Sequence, residues 1–199
     1  MESLPEKVNT QSVALAIYNP TPGTKAIDIR RQMVQLPEVA KSLSGVEKYI
    51  FAASTKTQIA DIDDGTLVAK TEQMFRFIAM DVGYIIPTNS EDWAYICTRL
   101  LDILKKYYSQ MTLADIKLAF ELATTGELDD YLPKDSQGNP DKKHYQQFNA
   151  DYFAKILNAY RRKQNGVIHK AYKALPEPKK ELTPQQIRQF EIQRQWRNR

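Results

Sequence analysis

Residues 90–126 have the sequence SEDWAYICTRLLDILKKYYSQMTLADIKLAFELATTG, which predicts two amphipathic helices in succession. The apolar side chains of the first helix recur three or four positions apart and form one stripe. This stripe comprises Trp93, Ile96, Leu100, Leu101, Leu104 and Tyr108. We expect Ser90 to cap the N-terminus of this helix. Lys105 and Lys106 stand near its C-terminus, where the helix dipole favours cations.

The second helix of this stretch has both a start and a stop signal. Thr112 and Asp115 have the spacing of a capping box, in which each side chain accepts a hydrogen bond from the other residue's backbone N–H. Gly126 stands where helices commonly end in a left-handed conformation. The apolar face comprises Ile116, Ala119, Phe120 and Ala123. Two such helices in tandem each need a partner for their apolar stripe, so the stretch predicts helices packed on helices.

Helical spacing continues on both sides of this stretch. Further helices are predicted at residues 26–34, 37–43, 46–53 and 64–82, and a long one begins at a capping Asn149. We expect Gly45 to interrupt the chain between two of them, and Gly166 either to kink or to end the long helix. Residues 127–145 have the composition of a polar loop.

The fold class that follows is all-α. We predict a compact multi-helix domain at residues 25–175 that carries a basic C-terminal helix on a linker. Residues 1–24 predict an extended segment, and residues 176–182 form a charged, proline-bearing linker. The tail helix at residues 183–199 begins with Thr183, followed by proline and two glutamines, a strong helix start.

The formal net charge of +4 conceals an asymmetry. Residues 142–199 hold 14 of the 28 lysines and arginines and only 4 of the 24 acids, a net charge of +10. The preceding 141 residues have a net charge of −6. This split indicates that one end meets a polyanion or an acidic partner. The alternative is that the two ends attract each other, within the chain or between copies.

The basic residues near the C-terminus are the candidate nucleic-acid contacts, because Lys and Arg bind phosphates irrespective of sequence. They are Lys142, Lys143, Arg161, Arg162, Lys163, Lys170, Lys173, Lys179, Lys180, Arg188, Arg194, Arg197 and Arg199. Tyr145, Tyr160, Tyr172 and Trp196 lie among them and could stack on bases, although the spacing of Tyr160 also fits the helix core.

The tail helix has a second possible role in binding a partner protein. Its large apolar side chains, set among arginines and glutamines, are Ile187, Phe190, Ile192 and Trp196. Such a helix fits a groove of a partner protein. It could equally pack on its own body or lie on an anionic membrane surface.

Catalytic and metal-binding patterns are missing from the sequence. A single cysteine, Cys97, excludes an internal disulfide and is expected to be a buried small hydrophobe, and His144 and His169 are too few for the usual zinc set. There is no nucleophile elbow, phosphate-binding loop or dinucleotide fingerprint. Residues 61–72 carry acids at some positions of a calcium loop, but the glycine is displaced, so we expect a turn and a helix cap formed by Asp63 or Asp64.

We therefore expect no enzymatic activity, no metal and no cofactor, although an active site assembled from dispersed acids remains an alternative. No stretch approaches the roughly 18 apolar residues of a membrane helix. The N-terminal residues lack the apolar core of a secretion signal, so we expect a cytoplasmic protein without membrane association.

A resemblance is carried by residues 107–161. They include MTLADIKLAFELA at 111–123 and HYQQFNADYFAKILNAYR at 144–161. This pattern resembles small helical proteins of bacteriophage replication modules, such as helicase loaders and replisome organisers. The resemblance implies a compact helical domain that binds one partner and a basic tail that binds another.

The hypothesis from the sequence is a non-enzymatic, phage-type DNA replication accessory protein. Its basic C-terminal quarter would bind nucleic acid or a helicase-like partner. The alternative is a virion or adaptor protein whose tail helix docks into a neighbouring subunit, so that an oligomer is possible.

Overall fold

A computed structural model describes residues 22–143 and 148–175, and this part of the chain is helical without any β-strand. The prediction of an all-α fold is confirmed. The helices are α1 (Ala26–Met33), α2 (Pro37–Ser42), α3 (Gly45–Ala53), α4 (Asp64–Asp81), α5 (Ser90–Tyr107), α6 (Leu113–Thr124) and α7 (Ala150–Lys173), with a 3-10 turn at Ile59–Asp61. No helix among these residues combines the length and apolar content needed to cross a membrane.

The helix starts follow the capping residues, with two corrections. Thr112 and Asp115 form the predicted capping box of α6, and Asn149 caps α7 by accepting from the N–H of Tyr152 at 3.1 Å. The cap of α5 is Asn89, whose side chain accepts from the N–H of Glu91; the prediction of Ser90 was wrong because that residue already has helical geometry.

Gly45 does not interrupt a helix but is the first residue of α3. Ser44 and Glu47 form a capping box around it, because the Ser44 hydroxyl accepts from the N–H of Glu47 and the Glu47 carboxylate accepts from the N–H of Ser44. Gly126 has φ of +86° directly after the last turn of α6, which confirms its predicted place at the end of that helix.

Helix α7 is continuous through Gly166, so the alternative that this glycine ends the helix is wrong. A glycine weakens a helix by about 0.5–1 kcal/mol relative to alanine, which packing can offset. Val167 and Ala171, one and five positions further on, are both buried and continue the core-facing side. The helix persists because its apolar face remains in contact with the core on both sides of the glycine.

Helix α7 lies at the centre of the fold and packs against α2, α3, α5 and α6. Phe153 on this helix is completely buried and contacts three other phenylalanines. Its ring lies 4.6 Å from that of Phe120, 4.8 Å from Phe148 and 5.5 Å from Phe75, measured between centroids. The predicted face of α6 is buried, and that of α5 is buried apart from the partly exposed Ile96.

The segment between α6 and α7 is more apolar inside than its composition predicts. Leu128 and Leu132 are 0% and 4% exposed and belong to the core, so the prediction of a purely polar loop was wrong. A helical turn places them together, since the N–H of Leu132 donates to the carbonyl of Leu128 at 3.1 Å. The polar tip is held by Asp135, whose carboxylate accepts from the N–H groups of Gln137 and Asn139.

Cys97 is partly buried against the core rather than fully buried, and burial raises the pKa of its thiol to about 11. The described residues cover most of the predicted 25–175 body. The predicted extended segment at residues 1–24 lies outside them except for its last three residues. The linker at 176–182 and the tail helix at 183–199 lie wholly outside them.

Candidate nucleic-acid interface

Three of the predicted basic contacts are paired with carboxylates of the protein itself. These ion pairs are Lys142–Asp129 at 2.6 Å, Lys163–Glu127 at 2.8 Å and Lys170–Glu47 at 2.7 Å. Lys163 is the most deeply held, since its side chain is 14% exposed and also donates to the backbone carbonyl of Glu127. At these three positions the basic C-terminal part of the chain is therefore attracted to acids of the preceding part, which is the intramolecular alternative given for the uneven charge distribution.

Other predicted basic residues have no such partner. Lys143, Arg162 and Lys173 are exposed and form no ion pair with a carboxylate of residues 22–143 or 148–175. The remaining predicted contacts lie beyond the described part of the chain. They are Lys179, Lys180, Arg188, Arg194, Arg197 and Arg199, together with the predicted partner-binding residues Ile187, Phe190, Ile192 and Trp196.

Tyr160 is not available to stack on bases. Its side chain is completely buried, and its hydroxyl donates to a carboxylate oxygen of Asp115 at 2.8 Å. Tyr172 is partly buried against the core, while Tyr145 and Trp196 lie outside the described residues. The alternative that Tyr160 belongs to the core is confirmed.

Asp115 is a buried carboxylate at the junction of α3, α6 and α7. One oxygen accepts from the Tyr160 hydroxyl and the Gln164 amide, each at 2.8 Å, and the other accepts from the Thr112 N–H at 3.0 Å. The Thr112 hydroxyl in turn donates to the carbonyl of Ala53 at the end of α3. Burial raises the pKa of Asp115, while its hydrogen bonds oppose the shift. Since both oxygens are engaged, this network is a structural junction.

Two pockets lie next to this junction and share a wall. The small pocket, of about 230 Å³, lies between α1, the end of α5 and α7. Its polar lining includes Arg30, Gln58, Asp115, Gln164 and Asn165. The large pocket, of about 490 Å³, lies between α5 and α7. Its lining includes Arg99, Ile103, Ala150, Asp151, Ala154 and Asn158.

The shared wall consists of Tyr107, Tyr108 and Arg161, which line both pockets. Tyr107 is 61% exposed, and the Lys106 ammonium lies 5.2 Å from its ring centroid. Tyr108 is buried, and its hydroxyl donates to Asn158 at 3.3 Å. The Arg161 guanidinium lies 5.8 Å from the Tyr108 ring, a geometry in which the cation is attracted to the aromatic face.

Three arginines surround this wall without a carboxylate partner. Arg30, Arg99 and Arg161 form no ion pair within the part of the chain that the structure describes. The carboxylates in the pocket linings are Asp115, which is fully hydrogen-bonded, and Asp151 in the first turn of α7. Arg30 donates from its Nε to the backbone carbonyl of Ser54 at 3.2 Å, which leaves its terminal nitrogens and the guanidinium groups of Arg99 and Arg161 as the groups that could bind an anion.

Arg30, Arg99 and Tyr107 were not singled out from the sequence. Arg99, Ile103 and Tyr107 are spaced by four residues along α5, so a common line on that helix could have been inferred. Arg30 is far away in sequence and reaches the same site only through the packing of α1 against the rest of the bundle.

The described residues contain no group of three or more His, Cys, Asp or Glu side chains that could hold a metal ion. The predicted helix cap near residue 63 is confirmed, since the Asp63 carboxylate accepts from the N–H of Thr66 at 2.9 Å. Hydrogen bonding to that N–H lowers the pKa of Asp63.

Comparison of the chain with protein-family models, curated proteins and solved structures found no match.

Proposed function

We propose that the protein is a non-enzymatic accessory protein of DNA replication, of the phage type, that binds nucleic acid at the shared wall of the two pockets. The observation that carries the proposal is the convergence of Arg30, Arg99 and Arg161, none of them ion-paired in the described chain, around the exposed ring of Tyr107. Arginine binds phosphate oxygens in a planar, two-pronged geometry, and an unpaired arginine does not first have to release an internal carboxylate.

The basic C-terminal quarter would extend this surface. Arg162 and Lys173 lie on α7, the helix that supplies Arg161, and both are exposed and unpaired in the described structure. Six further cations follow within residues 179–199. These cations would add to the electrostatic attraction for a polyanion bound at the wall.

The test is fluorescence anisotropy of labelled DNA at two salt concentrations. We compare the protein with the variant Arg99→Gln/Arg161→Gln and with a protein lacking residues 176–199. Because each lost phosphate contact reduces the slope of log affinity against log salt by about 0.7–0.9, we expect the double variant to reduce this slope by about 1.5.

The matched control is Lys105→Gln/Lys117→Gln, which removes the same formal charge from two lysines that pair with Asp64 and Glu121 and line neither pocket. This control should bind more tightly than the arginine double variant. Absence of binding at low salt would refute the proposal. The proposal would also be refuted if binding did not change with salt, with the arginine substitutions or with removal of residues 176–199.

An assembly protein is the second candidate, favoured by exposed apolar residues on α4. Phe77 and Met80 lie one turn apart and are 54% and 66% exposed. Exposed apolar patches often mark protein interfaces. Light scattering on size-exclusion fractions distinguishes the two functions, since a discrete oligomer that is lost on removal of residues 183–199 would favour assembly.

A further inference from the structure

We infer that the nucleic acid bound at the shared wall is single-stranded, with an unpaired base against Tyr107 and its phosphate on Arg161. This inference rests on the proposed function and adds the class of ligand and its orientation. It follows from three features: the exposure of the Tyr107 ring, the sizes of the pockets and the arrangement of charge around them.

Tyr107 presents an aromatic surface where a base could stack. Tyr107 is the last residue of α5, is more than half exposed and lines both pockets. The Lys106 ammonium lies over its ring, so the opposite face is the one that a base would cover. Stacking on an aromatic side chain requires access to the face of a base. In a duplex those faces are covered by neighbouring base pairs, whereas an unpaired base offers its face without first breaking a stack.

The pockets have the size and lining for single nucleotide units. The small pocket, at about 230 Å³, is below the roughly 300–1,000 Å³ of sites for drug-sized ligands, so its size suits a single base rather than a helix. The large pocket has an apolar floor of Ile103, Ala150 and Ala154. Asn158 also lines this pocket, and its carbonyl oxygen accepts from the Tyr108 hydroxyl. Its amide N–H groups could therefore donate to another acceptor, such as a base edge.

Charge determines which part of a nucleotide points inward. Asp115 lines the small pocket and Asp151 lines the large one, and both carboxylates would repel a phosphate. The cations Arg30, Arg99 and Arg161 line the same pockets without forming an ion pair in the described structure. The favourable arrangement directs bases into the pockets and keeps the phosphates on the guanidinium groups, with the Arg161 phosphate between the two pockets.

The experiment compares three ligands of equal length by anisotropy: single-stranded DNA, duplex DNA and a single strand of abasic sites. The abasic strand has the phosphates but lacks the bases. We expect the single strand to bind more tightly than either of the others. Substitution Tyr107→Leu should weaken single-strand binding by about 5- to 150-fold, the loss expected for one stacked base. It should leave binding of the duplex and the abasic strand unchanged.

Two variants serve as controls. Tyr95→Leu removes another exposed tyrosine of α5, 72% exposed, that lines neither pocket, and should bind normally. Tyr107→Phe keeps the ring and should retain most of the affinity. Suppose that all three ligands bind equally well, that their binding depends on salt, and that Tyr107→Leu does not change it. That result would overturn the inference, while the proposed function would stand. No binding of any ligand at low salt would overturn both.

Discussion

Removal of the Tyr160 hydroxyl tests whether the Asp115 network stabilises the fold as strongly as its geometry indicates. The hydroxyl is completely buried and donates to the carboxylate at 2.8 Å. Burial and the adjacent carboxylate raise the pKa of Tyr160, so the phenol remains a neutral donor. Substitution Tyr160→Phe keeps the ring and creates no large cavity, but it leaves Asp115 with one donor fewer in a buried position.

The expected cost is that of a hydrogen bond to a charged group, about 1.5–3 kcal/mol in the free energy of unfolding. For a chain of this length, each kcal/mol lowers the melting temperature by about 2–4 °C, so we expect a decrease of about 3–12 °C. The upper part of the range is reached only if the remaining donors, Gln164 and the Thr112 N–H, cannot move to compensate.

The assay is urea unfolding followed by circular dichroism, with Tyr108→Phe as the matched control. The Tyr108 hydroxyl donates to a neutral amide, Asn158, at the longer distance of 3.3 Å, so its loss should cost about 0.5–1 kcal/mol. If Tyr160→Phe cost no more than Tyr108→Phe, the assigned strength of the network would be wrong. The cost of Tyr160→Phe should also fall when Asp115→Asn is already present, because the acceptor is then uncharged.

Two further predictions concern pH and the glycines. The pKa of Asp115 is higher in the folded protein than in the unfolded chain. Protonation of Asp115 therefore stabilises the fold at a pH below the pKa of the unfolded chain, and this stabilisation is lost as the pH rises through the pKa of the folded protein. Urea unfolding between pH 4 and 7.5 measures how much Asp115→Asn lowers the free energy of unfolding. This loss should decrease as the pH rises, and an increase would contradict the raised pKa of Asp115. Gly166→Ala should stabilise the protein by about 0.5–1 kcal/mol, since an added Cβ meets nothing within 4 Å. Gly126→Ala, at φ +86°, should destabilise it by about 1–2 kcal/mol. Unfolding curves of the two variants that shift in the same direction would contradict one of these two predictions.

The helices could be predicted where sequence signals act locally. The capping box at Thr112 and Asp115 depends only on residues three apart, and both of its hydrogen bonds form. The choice between Asn89 and Ser90 could not be made in this way, because both residue types are good caps and the backbone decides between them. At Gly166 the intrinsic weakness of glycine in a helix was outweighed by packing, which depends on distant residues.

The candidate site was less predictable because distant segments build it. Lys163 and Lys170 pair with acids 36 and 123 residues away, so their partial neutralisation was not evident from local charge. Arg161 was identified as a basic residue, but nothing in the sequence indicated that Arg30 would line the same pocket. Leu128 and Leu132 were likewise missed, since two leucines in a polar stretch are too few to show a period.

The buried network and the exposed wall are linked through the rotation of α7 about its axis. Tyr160 and Gln164 point inward from this helix and bind the same oxygen of Asp115. Arg161 follows Tyr160 directly, so fixing those two side chains also fixes the direction in which its guanidinium leaves the helix, against Tyr108 and between the pockets. The polar junction therefore acts together with the buried apolar face of α7, including Phe153 and Ile156, in fixing the rotational position of the helix that presents the central cation of the proposed interface.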